Sequence, residues 1–111
     1  MWVFSRSSFL SIISDDDDAA MLVVRARMRG DIHGLWPKAT VDWTPKRDYA
    51  YRTRLRREEV AAALAREVCA INYSNYKSTV AQRDARRAPF YAWVWSIMAD
   101  AGDSLEGREA R

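Results

Sequence analysis

The chain has 111 residues, 49% of them hydrophobic and 12% aromatic, and a formal net charge of +3. That is enough apolar material for a packed core in one domain, which excludes wholesale disorder, and the single cysteine, Cys69, excludes an internal disulfide framework. The charge is partitioned: residues 1–20 carry a net −3 and residues 21–57 a net +7, so the basic character belongs to the middle of the chain.

Taken in order, residues 2–14 have a strand composition. Two parities compete there: Trp2, Phe4, Leu10 and Ile12 against Val3, Phe9 and Ile13, which predicts a bulge near Arg6–Ser8. Asp15–Asp18 ends the strand, because consecutive aspartates favour turns. Residues 21–29, MLVVRARMR, alternate with period 2. Leu22, Val24, Ala26 and Met28 share one face, and Arg25, Arg27 and Arg29 the other. Gly30 ends this strand. Residues 30–47 hold two Gly and two Pro and read as an ordered loop with one helical turn at Asp31–Leu35 and with Trp36 and Trp43 against the core. Residues 48–56 repeat the alternation: Tyr49, Tyr51, Thr53 and Leu55 on one face, Arg52, Arg54 and Arg56 on the other.

Three helices follow. Val60, Leu64 and Val68 recur at helical spacing over residues 57–71, with Glu58 and Glu59 at the positive end of the dipole. Ser74 or Asn75 caps a second helix over 75–84. Pro89 suits the first turn of a third, over 88–101, whose stripe is Phe90, Trp93 or Val94, Ile97, Met98 and Ala101, with Gly102 as its C-cap. The expected fold class is α+β: a three-stranded antiparallel sheet (about 2–14, 21–29 and 48–56) covered on one face by the C-terminal helices, in a single domain 1–102 with a flexible tail 103–111.

The combination of MWVF, LVVRAR, DYAYR, INYSNYK and YAWVW resembles a group of short uncharacterised bacterial proteins, over about residues 1–101. The resemblance implies one domain of this length and brings no activity, cofactor or catalytic residue with it. Arginine outnumbers lysine 15 to 3, which also fits a bacterial, GC-rich source.

Two constellations stand out. If the second and third strands are neighbours, Arg25, Arg27, Arg29, Arg52, Arg54 and Arg56 line one sheet face. Guanidiniums there suit an anionic partner, above all a nucleic-acid backbone. The competing reading is a solvated face, its charge answered by Asp15–Asp18, Glu58 and Glu59. Tyr49 and Tyr51 fall on the opposite parity, away from where a single-strand reader places its stacking aromatics. The second constellation is Tyr73, Tyr76 and Lys77, with Arg86 and Arg87 ahead of the third helix; it reads as interface or as packing at the helix junction. Asp84 is the nearest acid for those two arginines.

Enzyme signatures are missing. His33 is the only histidine, and Cys69 reads as a small buried residue within its helix. The aspartate run lacks the alternating spacing and Gly of a calcium loop. The expectation is therefore a small non-catalytic protein-interaction module without cofactor or metal, with a protein partner or self-association, and with RNA or DNA binding as the alternative. The apolar N-terminal stretch is short, broken by Arg6 and followed by acid, so neither a leader nor a membrane span is expected, and the location is read as cytoplasmic.

Overall fold

A computed structural model describes residues 1–108. The chain forms two compact units, Met1–Asn72 and a second that begins at Tyr73. The fold class is α+β with three helices and an antiparallel sheet, but the sheet has five strands rather than three.

The first unit holds β1 (Trp2–Phe4), β2 (Phe9–Ser14), β3 (Met21–Ala26), β4 (Asp42–Trp43), β5 (Tyr51–Arg56) and α1 (Arg57–Cys69), with strand order β1-β2-β3-β5-β4. The expected strand over 2–14 is a hairpin. Its parity break at Arg6–Ser8 is a turn and not a bulge: the Ser5 and Ser8 backbones bond at 2.9 Å, and Ser5 Oγ accepts from the Ser8 N–H at 3.0 Å. Two serine hydroxyls facing each other there close the turn without an extra residue in the ladder. A short strand β4 adds to β5 from within the expected loop, pairing Asp42 with Arg52 and Trp43 with Tyr51. Trp43, expected against the core, is 59% exposed because it sits on that two-residue edge.

β3 pairs with β5 from Met21↔Arg56 to Ala26↔Tyr51. The ladder to β2 ends at Arg25 and that to β5 at Ala26, after which the chain turns, and Gly30 takes a left-handed φ of 90°. The strand expected over 21–29 therefore stops at Ala26, and the one expected over 48–56 starts at Tyr51. The helical turn after Gly30 is present, held by Gly34 N–H to Gly30 carbonyl at 2.9 Å.

Alternation then delivers the core. Leu10, Ile12, Val24, Ala26 and Leu55 point to one face, and α1 seats Val60 and Ala63 on it at helical spacing. Ile32 and Trp36 from the 31–36 turn complete the cluster, and the Trp36 indole N–H donates to the Glu59 carbonyl at 3.2 Å. The start of α1 has no side-chain cap; the Arg57 N–H instead donates to the Ala20 carbonyl, in the β2–β3 turn. Cys69 is the last residue of α1 and is exposed, not buried mid-helix, because α1 ends two residues earlier than the periodicity predicts.

The second unit holds α2 (Tyr76–Arg83) and α3 (Ala88–Leu105). Asn75 caps α2 as expected, its Oδ1 accepting from the Ser78 N–H at 2.9 Å. α3 runs four residues beyond the expected 101. Gly102 lies inside it, and the left-handed glycine that follows the helix is Gly107, with φ 68°. Of the expected tail, Asp103–Leu105 are helical, and residues 109–111 lie outside the described residues.

Candidate interaction surfaces

The six arginines are not one open basic face. Only Arg25, Arg52, Arg54 and Arg56 lie on strands; Arg27 and Arg29 follow the end of β3. Most of them find partners inside the first unit. Arg54 makes a two-pronged bond to Asp15, Nε to Oδ1 and Nη2 to Oδ2, both 2.9 Å. Arg27 pairs with Asp48 and lies over the Tyr49 ring, 4.3 Å from its centroid. Arg25 covers the same ring at 4.5 Å and donates to Ser11 Oγ at 2.6 Å. Arg29 lies 5.5 Å from the Tyr51 ring and 5.7 Å from Trp43. Arg56 reaches Glu58 only at 3.9 Å.

Tyr49 overturns a parity expectation. Since β5 begins at Tyr51, Tyr49 is off the strand, and its buried ring lies under Arg25 and Arg27 instead of beneath the helix. Phe9 lies 6.4 Å from it and stacks on Phe4 at 4.5 Å, so the arginines border an aromatic floor. Sequence reasoning missed Asp48 and Tyr49 as partners; the signal available was their nearness to a strand end, where parity fails.

Arg52 is the electrostatic exception. Burial lowers its pKa, and the charges of Arg47 and Arg25 lower it further. It stands directly opposite Arg25 in the ladder, an unfavourable like-charge pair, and its Nε donates to the Tyr49 carbonyl at 3.2 Å.

Asp15 gives a pH test. The hydrogen bonds from Arg54, above all, hold its carboxyl below the usual carboxylate range; Arg54's charge and the N–H groups of Asp17 and Asp18 add to this, and burial opposes it. With the folded value below the unfolded one, the pair stabilises the fold above that range, and the contribution vanishes as pH falls through the folded value. Asp15→Asn is therefore expected to melt below wild type at neutral pH and to converge with it as the pH falls through the folded value. A gap that stays constant on acidification contradicts the assignment.

In the second unit Tyr73, Tyr76, Lys77, Arg86 and Arg87 fall into separate roles. The Tyr76 ring lies 6.1 Å from Tyr91, nearly parallel, and 6.3 Å from Tyr73. Burial, with Tyr91 and Tyr73 nearby, pushes its hydroxyl well above the usual phenol range. Lys77 Nζ sits 4.1 Å from the centre of the Trp95 ring. Arg87 is 7% exposed; it lies 3.6 Å from Asp84 and donates to Tyr91 Oη at 3.1 Å. Arg86 is exposed and contributes its N–H to Asp84 Oδ1 at 3.1 Å. Three of these five, Tyr76, Lys77 and Arg87, thus link α2 to α3.

Much of the apolar surface of α3 is exposed. Tyr91 and Asp103 are buried, while Phe90, Trp93, Ile97 and Met98 are 61–65% exposed. Phe90 and Trp93 meet edge to face at 5.5 Å. The apolar stripe anticipated in the sequence exists, but it faces solvent. The available signal was the imbalance between the helices: residues 88–99 carry no charge, whereas α2 offers little beyond Tyr76 and Val80 to cover them.

Among the described residues no helix is long and apolar enough to cross a membrane, and no group of three or more His, Cys, Asp or Glu side chains is placed to hold a metal. No protein family, curated protein or solved structure matches this chain.

Proposed function

We propose that the chain is a small non-catalytic protein-interaction module whose docking element is the outward face of α3. The observation that carries this reading is the contiguous exposure of Phe90, Trp93, Ile97 and Met98. Scattered apolar residues are ordinary on a surface, but a continuous helical stripe of this kind marks a contact site. An amphipathic helix laid against an apolar groove or a second helix is a recurrent mode of protein recognition. The sheet edges support such a role less, since β1 has three residues and β4 two, and short edges resist strand addition.

The arginine face supports the nucleic-acid alternative only in part. Trp2, 67% exposed, shares its side of the sheet with Arg52. Arg25, Arg27 and Arg54, however, are engaged by Ser11, Asp48 and Asp15. A photoreactive side chain placed at Ile97 is expected to form protein adducts in cells, and one at exposed Ala62 on α1 is not. Equal labelling from both positions, or none from Ile97, counts against the module. Salt-sensitive retention on an oligonucleotide resin that Arg52→Ser with Arg56→Ser abolishes moves the function to the arginine face.

A further inference from the structure

We infer that the partner of the α3 face is a second copy of this chain, docked antiparallel across a twofold axis. The inference rests on reading α3 as a docking element, and three observations carry it from an unnamed protein to a second copy.

The first is area. Phe90, Trp93, Ile97, Met98 and Leu105, each more than 60% exposed, together present on the order of 600 Å². That is the upper end of what a monomer shows, and it approaches the ~800 Å² per partner of a stable interface.

The second is charge. The stripe itself is uncharged from 88 to 99, so two copies meet without repulsion. Its ends are of opposite sign. Exposed Arg83 and Arg86 precede the helix, and exposed Asp100 and Glu106 lie at its far end. In an antiparallel pair each basic end meets the other copy's acidic end. A parallel pair would set like against like. Antiparallel docking also opposes the helix dipoles.

The third is shape. Phe90, Val94 and Met98 form one i±4 ridge, and Trp93, Ile97 and Ala101 the next, so the face has the rows that helix packing requires. A twofold axis near residues 95 and 96 sets Phe90 opposite Ala101, Trp93 opposite Met98 and Val94 opposite Ile97. The largest side chains then oppose small or flexible ones, and a twofold interface must be complementary to itself in this way.

Sedimentation equilibrium of the full chain at about 100 µM tests the proposal. The expected mass is twice that of the 12.8 kDa chain. Ile97→Glu is expected to weaken association by more than about 30-fold while the far-UV circular dichroism is unchanged. Arg86→Glu and Glu106→Arg are each expected to weaken it, and the double variant to restore it. A double variant as weak as the singles overturns the antiparallel register. A wild-type monomer, or a dimer indifferent to Ile97→Glu, overturns the self-association. Thiol labelling of Ile97→Cys in a Cys69→Ser background then separates the two levels. Fast labelling in a monomer leaves α3 as a docking element for a different protein. A shielded thiol in a monomer removes the docking reading as well.

Discussion

Leu10→Ala is expected to destabilise the first unit by about 2–5 kcal/mol, read as a shift in urea midpoint at unchanged slope. Leu10 is 0% exposed, lies on β2 and points into the cluster formed by Ile12, Val24, Ile32, Trp36 and Val60. Its neighbours sit on three different segments: the sheet, α1 and the 31–36 turn. They cannot all close on the vacated space at once, so the cavity term adds to the lost transfer energy. A core of this size leaves little reserve, and a few kcal/mol is a large fraction of the stability of any small domain. A loss below about 1 kcal/mol would mean the side chain is not at the centre of the core described above.

Arg87→Ala is expected to cost the second unit about 2–3 kcal/mol and to reduce hydrogen-exchange protection along α3. The guanidinium is nearly buried, bonds the Tyr91 hydroxyl and neutralises Asp84 at the α2–α3 corner. Asp84 is itself 31% exposed at its side chain, so water takes over part of the lost interaction, which places the effect below that of a fully buried pair. Arg87→Lys is expected to recover only part, since an ammonium lacks the planar fork that reaches Asp84 and Tyr91 from separate nitrogens. Unchanged protection in Arg87→Ala would contradict the corner role.

Much of the fold was legible because alternation and helical spacing are local. The rows Leu22/Val24/Ala26 and Thr53/Leu55 lie on the helix-covered side, as their period demands, and the three helices begin where their signals stand. Legibility failed where a partner decides the outcome. Whether Arg6–Ser8 is a bulge or a turn depends on β1 folding back on β2. Where β3 stops depends on where β2 and β5 stop beside it, and this removed Arg27 and Arg29 from the strand and placed Tyr49 under the arginines. The two-residue β4 carries no periodic signal of its own and exists only as an addition to β5. For the candidate surfaces, charge and hydrophobicity were visible in the sequence but their state was not. The aspartate run was one of two answers for the arginines, and Asp15 is what holds Arg54; the stripe with Phe90 and Ile97 was visible, but not that it faces solvent. A stripe of apolar residues states that something must cover it, and not what does.

On this reading the outward face of α3 serves association and not the fold of the isolated chain. It is tested most directly by the thermal midpoint measured across a hundredfold range of protein concentration, for wild type and for Ile97→Glu, since binding to the folded state makes the midpoint concentration-dependent. The expected result is a wild-type midpoint that rises with concentration and an Ile97→Glu midpoint that does not, with the two converging at the lowest concentration. A wild-type midpoint independent of concentration, lying well above that of Ile97→Glu throughout, would make the face part of the chain's own core and contradict the claim.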